Sequence, residues 1–136
     1  MRKKKYFNED ATISGLYNSI KQRTKNTKND ISSWPKEKFI TWYKNQKKEC
    51  CYCGCSLAEL KEFNHRKDTI NKRNQTRGNS LEVDRFDDNL GYSENNCCLA
   101  CYWCNNAKTD TFTKEDMKLI GKAIGSIIKS RLKNKS

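Results

Sequence analysis

The sequence predicts a small α+β domain held by a bound metal as much as by an apolar core. Three observations predict it. Two C-x-x-C hooks, Cys50 with Cys53 and Cys101 with Cys104, stand on either side of a stretch patterned like a β-hairpin. Segments with helical apolar spacing precede and follow that stretch. Only 35% of the 136 residues are hydrophobic, which is thin for a core of this size, so a second source of stability is expected. By length the chain is one domain, residues 1–136, with a basic helical arm at 1–48, a metal-clamped centre at 49–111 and a C-terminal helix at 112–136.

The first helix is predicted in ATISGLYNSIKQRTKN, where Ile13, Leu16, Tyr17 and Ile20 fall on one face and Lys21, Arg23 and Lys25 follow. SSWPKEKFITWYKNQ offers a Ser cap and an early proline before Phe39, Ile40, Trp42 and Tyr43, which reads as a second helix with its aromatics in the core. Residues 64–80 are rich in Asn, Lys and Arg without periodicity and read as a polar loop; it carries the single histidine, His65, expected at the surface. SLEVDRF then reads as a strand, DDNLGYS as a turn, and a second short strand leads to Cys101. A short helix is expected from Cys104. A longer one follows in TKEDMKLIGKAIGSIIKSRLK, opened by Thr113 and Asp116 in capping-box spacing, with Met117, Ile120, Ile124, Ile127 and Ile128 as its core stripe. Gly121 and Gly125 each cost about 1 kcal/mol in a helix interior, so their one-turn spacing predicts a close helix contact or a dimer seam.

The net charge of +12 favours nucleic acid or another anionic partner. Its distribution says more. Residues 1–48 hold 13 basic and 4 acidic side chains, residues 49–111 hold 8 and 10, and residues 112–136 hold 7 and 2. Basic arms thus flank a slightly acidic centre, the arrangement expected if the ends grip phosphates and the middle holds a cation. The competing reading of the same charge is ordinary solvated helix faces. No apolar run approaches the roughly 20 residues of a membrane span, and MRKKKYFNED lacks the apolar stretch of a signal peptide. A cytoplasmic setting is expected, where paired cysteines are more often metal ligands than disulfides.

Cysteines at C-x-x-C spacing bend the backbone around one ion, so the two hooks can close a tetrahedral Zn²⁺ site of four thiolates. Cys98 and Cys101 form a competing hook. The simplest assignment leaves Cys51, Cys55, Cys97 and Cys98 unligated. Clamping the hooks together predicts a strand, strand, helix unit in which Asp84 ends the first strand, Asn96 leads into the second and Asn105 opens the helix.

Through V-D-R at 83–85, G-Y at 91–92, N-C-x3-C-x2-C-N at 96–105 and the later Lys108, the sequence resembles the HNH, or ββα-metal, nucleases. The likeness to a small type II restriction endonuclease of that family runs over residues 39–128, through FITWY, C-x-x-CG, VDR, GYS, LAC-x-x-CN and M-x-L-I-G-x-AI in the same order. It implies a zinc-stabilised ββα-metal fold with flanking helices. Asp84 and Arg85 stand where the family has Asp-His, Asn96 at its central asparagine and Asn105 at its final His or Asn. The resemblance further implies a catalytic Mg²⁺ or other divalent cation on the Asp84 carboxylate and the Asn105 amide oxygen, a donor set of the kind Mg²⁺ prefers. Arg85 is a fixed cation suited to the scissile phosphate and unsuited to the work of a base, so the family's histidine base has no counterpart at that position. Asn96 is expected to order the turn through side-chain to backbone bonds. Tyr43 matches a tyrosine to which the resemblance gives an activating or nucleophilic role; its own residue pattern makes it a core aromatic.

The implied function is phosphodiester hydrolysis of double-stranded DNA by a sequence-specific type II restriction endonuclease acting as a homodimer on a palindrome. A phage or mobile-element HNH nicking or homing enzyme shares the chemistry. A noncatalytic zinc-ribbon module would explain the cysteines and charge but not Asp84 and Asn105, and a structural interaction protein would leave the basic arms without a use. Lys21, Arg23, Lys25, Arg73, Arg77 and Lys108 are the expected nucleic-acid contacts. Asn71, Arg73, Asn74, Gln75 and Arg77 are of types that read base edges, or else belong to a connecting segment.

Overall fold

Asn8 begins the first helix by accepting a hydrogen bond from the backbone of Ala11. The computed structural model describes residues 8–73 and 76–134. They fall into two compact units, one of residues 1–46 with 89–95 and one of residues 47–88 with 96–136. The expected basic tail at 1–7 and the loop residues Asn74 and Gln75 lie outside the described residues.

In the first unit, α1 (Glu9–Thr24) has acidic Glu9 and Asp10 in its first turn and Lys21 and Arg23 in its last, both favourable to the helix dipole. It buries Ile13, Tyr17, Ile20 and Thr24. The expected Ser cap is replaced by a different device: Asp30 caps a 3-10 turn at Ile31–Ser33, and α2 (Lys36–Asn45) starts after Pro35, which stands at its N-cap without a side-chain bond. Packing between these helices is aromatic. Phe39 is fully buried, with ring centroids 5.3 Å from Tyr17 and 5.1 Å from Trp34, and Trp34 lies 5.0 Å from Trp42. The Tyr17 hydroxyl reaches water's equivalent inside the core by donating to the Trp34 carbonyl at 2.6 Å.

The second unit opens with a tight cysteine turn. Gly54, at φ +73°, donates to the Cys50 carbonyl, and the Cys50 amide donates to the Cys55 carbonyl. Next comes α3 (Leu57–Asn64), a helix not anticipated above, although Ser56 and Glu59 form a complete capping box at its start. Strands β1 (Glu82–Arg85) and β2 (Cys97–Ala100) pair antiparallel with Val83 opposite Leu99 and Asp84 opposite Cys98. Helix α4 (Tyr102–Lys108) begins earlier than expected, with Cys101 rather than Cys104 at its start, so Asn105 sits in its middle. Thr113 and Asp116 do form a capping box on α5 (Lys114–Lys133).

Of the apolar stripe expected on α5, Met117 and Ile128 are buried, while Ile127 is 53% exposed and points off the core. Gly121 and Gly125 take the remaining inward positions. A methyl added at either would collide with the carbonyl oxygen of Tyr52 or of Cys53. The close approach predicted by their spacing is therefore made inside this unit, between α5 and the cysteine turn. Helices and a two-stranded sheet form the predicted α+β architecture, a ββα unit framed by helices.

Candidate active site

Four sulfur atoms mark the centre of the second unit. The thiols of Cys50, Cys53, Cys101 and Cys104 all lie within 4.8 Å of one another, with Cys53 and Cys101 Sγ atoms 3.9 Å apart. A tetrahedral zinc with bonds of about 2.3 Å sets neighbouring sulfurs about 3.8 Å apart, so the four donors fit that ion in both type and spacing. The Cys53 amide points at Cys50 Sγ and the Cys104 amide at Cys101 Sγ, both at 3.4 Å. Each hook thus turns a backbone N–H onto its own leading sulfur, which favours thiolate. The sulfur hydrogen bonds within the cluster divide the four thiols, lowering Cys50 and Cys53 and leaving Cys101 and Cys104 raised.

The competing hook is not used, because Cys98 is joined to Cys51 in a disulfide, with Cα atoms 6.3 Å apart. These two cysteines were expected to be unligated, and neither belongs to the four-sulfur cluster. The turn at 50–53 folds directly over β2, bonding the Cys51 amide to the Leu99 carbonyl at 2.8 Å, and this brings the sulfurs together. Cys55 and Cys97 are buried and belong neither to the disulfide nor to the four-sulfur cluster.

The same fold-over positions a residue that spacing alone does not single out. Tyr52, between the cysteines of the first hook, donates its hydroxyl to Asp84 Oδ2 at 2.5 Å. Burial, followed by this bond and the Asp84 charge, pushes the Tyr52 phenol above its ordinary value. Asp84 ends near β1's centre, 7% exposed, where burial raises its carboxyl while Tyr52 and Lys108 oppose that rise.

Lys108 was expected among the nucleic-acid contacts. Its side chain is instead 1% exposed, with Nζ 3.4 Å from Asp88 Oδ2 and 3.8 Å from Asp84 Oδ2. That depth makes it an internal cation shared by two carboxylates. Arg85 donates from Nη1 to the Asp88 carbonyl at 3.2 Å, so the turn after β1 fixes the direction of its guanidinium. Asn96 staples that turn: it donates to the Asp87 carbonyl at 3.0 Å and accepts from the Asp87 amide at 3.1 Å. Asn105 donates its amide nitrogen to Glu82 at 2.9 Å, which directs the amide oxygen away from Glu82. A carboxylate at Asp84 and an amide oxygen at Asn105 are hard donors of the type a divalent cation takes.

The remaining expected residues lie elsewhere. Arg77 is held by Glu82 through Nε and Nη2 and stacks 4.6 Å from the Tyr102 ring centroid, and Asn71 donates to Asn64 and to the Arg77 carbonyl. Arg73 is exposed on the same loop, as is His65 at the end of α3. Lys21, Arg23 and Lys25 are exposed on α1 in the first unit, and Arg23 donates to the Tyr92 hydroxyl. Tyr43 also belongs to the first unit, on α2 against Phe39 and Trp42, where burial and then the Glu9 charge push its phenol upward. No helix among the described residues is long and apolar enough to cross a membrane.

No protein-family model and no curated protein sequence matches the chain. Among solved structures it is similar to the rare-cutting HNH restriction endonuclease PacI, at 24% sequence identity and a TM-score of 0.70, over 96% of this chain and 87% of PacI. The chain shares that fold, and its own ββα unit with flanking helices carries the four-cysteine cluster.

Proposed function

We propose that the chain is a divalent-metal-dependent DNA endonuclease, and that it acts as a sequence-specific type II restriction enzyme. The observation that carries this reading is the cluster at the end of β1, where Asp84, Tyr52, Lys108 and Arg85 converge next to the four-cysteine site in a fold shared with PacI. Four thiolates around Zn²⁺ would tie the cysteine turn to the start of α4 and so fix Tyr52, Asp84 and Asn105 on three separate segments.

Asp84 and Asn105 would hold the catalytic Mg²⁺ or a related cation, which supplies charge neutralisation at the leaving oxygen of the phosphodiester. Arg85 binds the scissile phosphate and its developing charge. Lys108 keeps Asp84 and Asp88 together without reaching substrate. The reaction also needs a group to activate the attacking oxygen, and Arg85 cannot supply it. We assign to Tyr52, in preference to Tyr43, the orienting of the attacking water, because its hydroxyl touches the Asp84 carboxylate directly and stays protonated there; the water's proton leaves to bulk solvent. Lys21, Arg23, Lys25 and Arg73 supply phosphate contacts, and the whole chain works as a single nuclease domain in a cytoplasmic setting. Two copies related by a two-fold axis would cut both strands of a palindrome.

The test is cleavage of supercoiled plasmid and long genomic DNA with Mg²⁺ or with the divalent cation omitted, followed by end sequencing. Discrete metal-dependent fragments with a shared end sequence are expected, from a species that sediments as a dimer on DNA. Nicks from a monomer would assign the chain to the nicking class instead. Intact DNA in spite of salt-sensitive binding would reduce it to a noncatalytic zinc module.

A further inference from the structure

On the DNA reading just proposed, the protein must also carry a surface that reads sequence, and the polar loop at 64–80 is poorly placed for it. Asn71 and Arg77, its two best-suited described side chains, are already spent on Asn64 and Glu82. Arg73 remains, one side chain on one turn.

The outward face of α1 is different. A cleft of about 450 Å³ opens along its C-terminal half, lined by Asn18, Gln22 and Asn26 together with Lys21 and Lys25. Its far wall is the segment bearing Asp30 and Ser32, whose side chains already bond to each other. The three amides make no hydrogen bond among the described residues, and all are exposed. Asn18 and Gln22 stand one turn apart on the face opposite buried Ile13, Tyr17, Ile20 and Thr24, and Asn26 lines the cleft from the turn after the helix.

That spacing has a physical match in duplex DNA. Four residues of helix advance about 6 Å, and two base-pair steps advance about 6.8 Å, so amides one turn apart can meet bases two steps apart. Asn and Gln are the side chains that make paired hydrogen bonds to the adenine edge in the major groove. Lys21 and Lys25 lie one residue to the side of each amide, where a helix lying along the groove presents cations to the backbone phosphates.

We propose that α1 is the sequence-reading helix of this protein, with Asn18 and Gln22 determining specificity for adenines two steps apart and Lys21 and Lys25 holding the flanking phosphates.

The experiment is selection from a random-sequence duplex pool with the Asp84→Asn chain, in which binding proceeds without cutting, compared with the same chain carrying Asn18→Ala and Gln22→Ala. The parent should enrich a motif containing adenines at two positions two steps apart. In the amide variant those two positions should lose their preference, and affinity for the parent's selected site should fall roughly tenfold to a hundredfold per amide removed. Lys21→Ala and Lys25→Ala should weaken all duplexes together and reduce the salt slope by about one each, with the motif unchanged. An amide variant that selects the parent motif at parent affinity overturns the proposal, as does transfer of the effect to Arg73→Ala. Metal-dependent cleavage by the unmutated chain is scored in parallel. Cleavage without any selected motif overturns this inference alone; neither cleavage nor binding removes the DNA reading as well.

Discussion

Asp84 is almost buried, and a carboxylate in that position keeps its charge only through its neighbours. Two of them are visible, the Tyr52 hydroxyl and the Lys108 ammonium, and they contribute differently. Lys108 neutralises Asp84 and Asp88 from below the surface, so Lys108→Met leaves two carboxylates without their cation. That should destabilise the protein by about 3 kcal/mol in urea unfolding. Because burial already raises the Asp84 carboxyl, removing a cation raises it further. The folded state then holds a proton that the unfolded state releases, so the deficit should be small below the carboxylate range and grow as pH rises to neutrality. A deficit independent of pH would mean that Lys108 acts through packing alone. Tyr52 bears on chemistry instead. Tyr52→Phe preserves the ring against Phe86 and removes one hydroxyl, so the cleavage rate should fall by about 10²-fold or more while the melting temperature changes little. Tyr43→Phe should leave cleavage intact; loss there with full activity in Tyr52→Phe would return the role to Tyr43.

Among the elements, α5 shows how a helix far from the chemistry sets its geometry. Gly121 and Gly125 let it lie against the carbonyls of Tyr52 and Cys53, the turn that presents both the site's tyrosine and a sulfur of the four-cysteine cluster. Alanine at position 121 gains about 1 kcal/mol of helix propensity and meets a backbone carbonyl that cannot step aside, with overpacking costs of about 1–3 kcal/mol. Gly121→Ala should therefore be net destabilising in thermal unfolding and should also lower cleavage by displacing Tyr52. Gly15→Ala is the opposite case, since nothing lies near its added methyl and it sits within α1, so it should stabilise by about 0.5–1 kcal/mol. The spacing of the two inward glycines announced a close contact without saying what it met. Periodicity likewise placed the strands and α5, but α3 escaped because its eight residues are too few to show a repeat. Its Ser56 and Glu59 capping box was the available signal.

For the molecule as a whole, what could be read from the sequence was local: the cysteine hooks announce themselves by spacing, and the Asp84–Arg85 pair by its resemblance to the HNH nucleases. What could not be read depends on the cysteine turn folding back over β2, a long-range event that puts Tyr52 on Asp84 and Cys51 on Cys98. A zinc ion held by the four-cysteine cluster would give the molecule a second cross-link around nearly the same loop as the disulfide. The disulfide joins residues 47 apart and the thiolate hooks join Cys53 to Cys101, 48 apart. Loop-closure entropy grows only with the logarithm of loop length, and a loop closed once has little more to lose, so the two staples overlap rather than add. Zinc is the stronger of them, since structural zinc couples about 10–16 kcal/mol to folding in small domains and a typical domain is stable by only about 5–15 kcal/mol. Reductant alone should thus lower the melting temperature slightly, and chelator alone should lower it more. Both together should unfold the sheet and α4, seen as loss of the near-ultraviolet signal from Trp103, which packs 5.0 Å from Phe63 and 5.6 Å from Tyr102. One zinc per chain should accompany the untreated protein, and zinc rather than Mg²⁺ should restore the signal. If reductant alone collapses the signal and chelator does nothing, the disulfide is the staple and the four thiols are merely neighbours.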